Sequence, residues 1–122
     1  MLLSKIATVT VYVDNQEESE KFWVEKIGFE IQKKFPMGPM AYWVELAPPG
    51  AVSCITLYPK SMMQDWNQIR VGVVFQTDDI KKTYAELKAK GVDIDEPKEL
   101  GFGIFTAFRD IDGNEFGLRE HK

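Results

Sequence analysis

Ile104-Phe105-Thr106-Ala107-Phe108-Arg109-Asp110-Ile111-Asp112-Gly113-Asn114-Glu115-Phe116-Gly117-Leu118 sets Asp-Gly-Asn between two apolar-aromatic runs. Gly113 and Asn114 tolerate positive φ, so the spacing predicts an antiparallel hairpin near the end of the chain. Side chains alternate along a strand. That puts Ile104, Thr106 and Phe108 on one face of the first strand, and Phe116 and Leu118 on one face of the second. Gly117 falls on the opposite face, between Glu115 and Arg119.

Working outward, Ile6 to Val13 is β-branched at most positions and alternates, with Ala7, Val9, Val11 and Val13 on one face and Thr8, Thr10 and Tyr12 on the other. It reads as a central strand with a more polar second face. Asp14 and Asn15 are candidate caps for a helix with Glu17 and Glu18 in its first turn, running to Lys26 before Gly28 and burying Phe22, Trp23 and Ile27. Phe29 to Phe35, Ala41 to Leu46 and Ala51 to Tyr58 follow as strands, separated by Pro36 to Met40 and by Pro48-Pro49-Gly50. The first module, 1–58, is thus β-α-β-β-β. Residues 59–69 lack periodicity and read as a linker.

The same order then starts again in module 70–122. Val71 to Thr77 is a strand, Asp78 and Asp79 are caps, and a helix with Ile80, Tyr84 and Leu87 on one face ends at Gly91. A short extended piece near Ile94 to Leu100 leads into the hairpin. Asn15 and Asp78 each precede a helix-ending glycine by thirteen residues, although side-chain identity between the halves is poor. Neither half can close a core alone. The expected fold is α+β: two β-α-β-β-β modules side by side in a single domain, 1–122, with a curved mixed sheet, both helices on one face and a concave cavity on the other.

A chain of 122 residues buries roughly two-thirds of its unfolded surface, enough for one domain without covalent staples. The one cysteine, Cys54, lies in an apolar run and reads as a buried structural thiol. No stretch approaches the length of a membrane span or a signal peptide, so a cytoplasmic protein with no membrane partner is expected. Nineteen acidic against fifteen basic residues give a net charge of −4 with no basic stripe, which argues against nucleic acid.

Tyr12-Val13-Asp14, Phe22-Trp23 leading to Lys26-Ile27-Gly28-Phe29, Asp78-Asp79-Ile80 with Ala85 to Val92, and Phe108 to Asn114 together resemble the glyoxalase, bleomycin-resistance and extradiol-dioxygenase superfamily, the vicinal oxygen chelate fold. The resemblance implies isomerase, dioxygenase, thiol-transferase or drug-binding functions, so it constrains fold more than function. It also implies four metal-ligand positions, typically two histidines and two glutamates, which fall here on Thr8, Thr56, Gly72 and Gly117. A hydroxyl is a poor donor to a divalent ion and glycine has no side chain. The single histidine, His121, reads as a terminal side chain. Glu45 and Glu115 could enter a carboxylate-only metal site, but read more readily as a strand-edge residue and a surface charge beside a turn.

No catalytic residue and no cofactor are therefore expected, and no Ser-His, Cys-His or close carboxylate pair is apparent. Thr8, Thr10, Thr56 and Gly72 leave the middle of the expected cavity small and weakly polar. Around it stand Trp43, Glu45, Tyr58, Phe102 and Phe105, with Met37, Met40, Met62, Met63 and Trp66 on loops. Each of these also has a plain reading as a core or interface plug. Gln76 and Arg109 are the other polar groups that strand parity allows near this surface. A lining of aromatics and methionine suits a flat apolar or cationic molecule. The expected function is metal-independent binding or sequestration of a small aromatic or cationic molecule by a homodimer. The alternatives are a metal-dependent glyoxalase-type lyase, isomerase or dioxygenase, and a protein-interaction domain.

Overall fold

A computed structural model describes residues 6–62, 72–100 and 103–121. The chain divides into two compact units, Met1–Ile69 and Arg70–Lys122. Unit 1 contains β1 (Val9–Val13), α1 (Gln16–Lys21), a π-helical stretch (Phe22–Ile27), β2 (Glu30–Gly38), β3 (Ala41–Ala47) and β4 (Ile55–Pro59). Its sheet runs β1-β4-β3-β2, with β1 and β4 parallel and the other neighbours antiparallel. Alternation drives one face inward: Val11, Val13, Val44, Leu46, Ile55 and Leu57 are buried, as are Phe22, Trp23 and Phe29. Trp23 packs edge-on to Phe22 at 5.5 Å and tilted on Phe29 at 5.1 Å.

Several expectations for this unit shift: β2 runs on through Pro36 and Met37 to Gly38, because Pro36 and Gly38 still pair with Tyr42 and Ala41, and β4 starts at Ile55 rather than Ala51. The first strand starts at Val9 rather than Ile6, because its ladder with β4 begins at Val9–Ile55 and Ile6 is exposed. Asn15 caps α1, its Oδ1 accepting from Glu18 N at 3.0 Å, but the helix widens after Lys21 into the π-helical stretch. It closes where Gly28 turns left-handed (φ 91°) and Phe29 N donates to Trp23 O at 2.9 Å, while Ile27 stays only half-buried. The supposed linker is ordered at its start: β4 includes Pro59, and a 3-10 turn covers Lys60–Met62.

Unit 2 contains β5 (Val74–Gln76), α2 (Ile80–Ala89), β6 (Asp93–Ile94), β7 (Lys98–Leu100), β8 (Gly103–Arg109) and β9 (Glu115–His121). The strand order is β5-β9-β8-β6, with β7 also on β8 and β5 parallel to β9. The extended piece after α2 is thus two short strands. Ile80, Leu87, Val92, Ile94, Phe108, Phe116 and Leu118 are buried, and Phe75, Phe108 and Phe116 form a cluster with ring centroids 5.5 to 6.1 Å apart. The cap of α2 is Asp79, not Asp78: Asp79 Oδ1 accepts from Lys82 N at 3.1 Å. Glu120 on β9 ties the helix start to the sheet, accepting Ile80 N at 2.8 Å.

The hairpin pairs Thr106 with Leu118 and Phe108 with Phe116, as alternation requires. Its loop spans five residues, since Arg109 and Glu115 are the last pair. Gly113 alone takes positive φ (82°); Asn114 does not, because Asp110 holds it instead. The buried Asp110 carboxylate accepts from the backbone N–H of Asp112 and Asn114 and from Asn114 Nδ2, all at 2.9 to 3.0 Å.

Candidate functional site

In unit 1 the face opposite the apolar core collects six of the expected site residues. Thr56 on β4 is the register partner of both Thr10 on β1 and Glu45 on β3, so these three point the same way. Thr8, Trp43 and Tyr58 join them two positions along their segments. Thr8 Oγ1 and Thr56 Oγ1 lie 2.6 Å apart and share a hydrogen bond, and Thr8 also donates toward Cys54 O at 3.3 Å. Trp43 Nε1 donates to Glu45 Oε2 at 2.8 Å. Thr56 is fully buried, while Thr8, Thr10, Trp43, Glu45 and Tyr58 are half-buried.

Three residues outside the expected set sit on the same face. Cys54 donates its S–H to Ala7 O at 3.2 Å and toward Glu45 Oε1 at 3.7 Å. Phe35 on β2 is paired with Trp43 and stacked on it, ring centroids 6.4 Å apart and planes at 22°. Tyr12 stands edge-on to Tyr58 at 6.1 Å. Parity could have found two of them, since Cys54 is two residues before Thr56 and Tyr12 two after Thr10. Phe35 needed the β2–β3 register, which bulges twice.

Unit 2 is built differently. Gly72 precedes β5, and Gly117 on β9 pairs with Val74, its N–H donating to Val73 O at 2.9 Å. A Cβ at Gly117 would meet Val74 Cγ2 at 3.1 Å, whereas one at Gly72 would meet nothing within 4 Å. Phe105 and Arg109 share this face with Gly117 through the β8–β9 register, and Gln76 through β5–β9. Arg109 is fully engaged. It makes two parallel bonds to Asp95 (2.9 and 3.0 Å), a third to Glu115 at 2.7 Å, and approaches Asp93 at 3.6 Å. The hydrogen bonds to Asp95 raise the guanidinium above its usual range, and those same bonds hold the Asp95 carboxyl below its ordinary value. Trp66, Met63 and Phe102 lie outside the described residues, as does the side chain of His121.

The four positions where a metal-bearing relative would place its ligands do not fit a divalent ion. Two hydroxyls bonded to each other and two glycines supply neither imidazole nor carboxylate. Among the described residues, no three His, Cys, Asp or Glu side chains gather as a metal group.

A β-α-β-β-β order in unit 1, echoed in unit 2 with the strand after the helix split into β6 and β7, and a mixed sheet in each unit match the fold class of glyoxalase and bleomycin-resistance proteins. The chain belongs to the Glyoxalase/Bleomycin resistance protein/Dioxygenase superfamily, whose family model matches residues 5–118. It is similar to the Bacillus subtilis (strain 168) protein YetH, 43% identical over 98% of this chain and 100% of that one. Among solved structures it resembles TnmS3, an antibiotic binding protein from Streptomyces sp. CB03234, at 31% identity and TM-score 0.87, over 100% and 99% of the two chains. It also resembles a superfamily member from Sphaerobacter thermophilus DSM 20745, at 28% identity and TM-score 0.89, over 99% and 100%. No helix among the described residues is long and apolar enough to cross a membrane.

Proposed function

We propose that this chain binds and sequesters a small aromatic or cationic molecule without a metal, as a homodimer in the cytoplasm, its two units acting as one domain over 1–122. The observation that carries the reading is the Thr8–Thr56 hydrogen bond at 2.6 Å: hydroxyls satisfy each other where a metal-dependent enzyme would present two ligands. Beside them stand Trp43, Tyr58 and Glu45, which offer stacking surfaces and one carboxylate. Similarity to an antibiotic binding protein over the full chain supports small-molecule binding. Thr10 and Trp66 complete the proposed lining in unit 1.

Two measurements on the purified protein test this. Metal analysis should find no stoichiometric divalent ion, and a stability screen should find an aromatic or cationic ligand that at a hundred times its dissociation constant adds about 2.7 kcal/mol. Trp66→Ala should weaken that ligand by about 1 to 3 kcal/mol and leave stability nearly unchanged. One tightly held zinc, nickel or manganese ion per chain would replace this reading with a glyoxalase-type enzyme. A screen without hits, on a metal-free protein, would favour an interaction domain.

A further inference from the structure

We infer that Glu45 sets the charge of the bound molecule, so that the site takes a planar organic cation in preference to a neutral or anionic molecule of the same shape. This rests on the small-molecule reading above and names the ligand class for it. Glu45 is half-buried, and its firm hydrogen bond comes from an uncharged donor, the Trp43 indole at 2.8 Å, while the Cys54 thiol, whose single S–H serves Ala7 O at 3.2 Å, lies 3.7 Å away. Neither neutralises it. Lys33 stands opposite Glu45 in the β2–β3 register without an ion pair to it, whereas Lys34 pairs with Glu20 at 3.0 Å and Lys60 with Asp14 at 3.4 Å. Among the described residues, no cation reaches Glu45.

A carboxylate accepts about four hydrogen bonds, so one firm neutral donor leaves most of its capacity open. Partial burial makes a counter-charge supplied from outside worth more than it would be in bulk water. The residues around Glu45 suit the rest of such a ligand. Thr10, Trp43, Cys54, Thr56 and Tyr58 on its face carry no charge, and Lys33, which the β2–β3 register puts on the same face, makes no ion pair with it. The indole that orients the carboxylate is itself stacked against Phe35, which fixes an aromatic surface next to the charge. Stacking and charge are then offered to one molecule together, the combination that favours a flat cation. Unit 2 presents the opposite case: Asp93, Asp95 and Glu115 are all committed to Arg109.

The test is a fluorescence titration of the full chain with three planar probes: proflavine, a cation at neutral pH, aminoanthracene, a neutral ring system of similar size, and the anion anilinonaphthalene sulfonate. Wild-type protein should bind proflavine at least about tenfold more tightly than either other probe. Glu45→Gln keeps the shape of the side chain and an oxygen for the Trp43 N–H. It should bring proflavine within about twofold of aminoanthracene, whose own affinity stays put. Equal affinity for cation and neutral probe in wild type, or a preference that survives in Glu45→Gln, overturns the inference and leaves the binding reading intact. Failure of all three probes to bind overturns both. A readout that needs no variant is salt: raising it to about 0.5 M should weaken proflavine several-fold and spare aminoanthracene. Proflavine binding indifferent to salt also overturns the inference.

Discussion

On the sheet of unit 1, the face opposite the core holds Thr8, Thr10, Thr56, Trp43, Tyr58 and a Glu45 that no cation pairs among the described residues; on the sheet of unit 2 the corresponding face holds Val74, Gly117 and an Arg109 that three acids surround. Both units start with a strand and a helix and continue in strands, three in unit 1 and four in unit 2, and both bury aromatic clusters on the other side. Architecture repeats because burial of one apolar face per sheet demands it. The second face is free of that demand. One unit keeps hydroxyls, rings and an open charge there, while the other spends its charges on an internal network and leaves glycine where a side chain could project.

The strongest way to break this contrast is to put metal ligands on the face of unit 1. Thr8→His with Thr56→His, at positions whose hydroxyls lie 2.6 Å apart, should create zinc or nickel affinity of about 1 mM, roughly 4 kcal/mol of binding by calorimetry, while the parent should show none. A folded variant that binds no metal would show that the two side chains do not converge on an ion.

The two cores should be equally demanding. Trp23→Ala in unit 1 and Phe116→Ala in unit 2 each remove a fully buried ring and should each cost about 3 to 5 kcal/mol in urea denaturation. If one costs less than about 1 kcal/mol, its unit is not held by the aromatic cluster described. Gly113→Ala should cost about 1 to 2 kcal/mol, since φ is 82° there, while Gly72→Ala, with open space for a Cβ, should be nearly neutral.

The smallest effect belongs to the ion network of unit 2. Asp95 titrates below its ordinary 3.8 in the folded chain because Arg109 hydrogen-bonds its charged form. A depressed carboxyl stabilises above its unfolded pKa and loses that contribution as pH falls through the folded value. Melting curves of wild type and Arg109→Gln should therefore differ slightly at neutral pH and converge below about pH 4. A gap that persists in strong acid would assign Arg109 a packing role instead.

Much of this was legible in the chain itself. Alternation from Ile104 to Leu118 set the paired faces of the hairpin, Asn15 marked the start of the first helix, and Gly28 and Gly91 marked the helix ends, because these signals are local and have one cheap conformational solution. The family followed from such pieces in order. Parity also gathered Thr8, Thr10, Trp43, Glu45, Thr56 and Tyr58 correctly, since a strand offers only two faces.

What needed the tertiary structure was every decision between near-equal local options. Asp79 caps rather than Asp78, the first helix widens at Phe22 to seat Trp23 against Phe29, and Asp110 rather than a second left-handed residue closes the hairpin. Each is settled by packing or by a buried acceptor that neighbours in sequence cannot reveal. The fate of the charges is of the same kind. Arg109 and Glu45 both look in the sequence like charges on half-buried strands, and only the folded chain gives one of them three acids and the other an indole and, among the described residues, no cation.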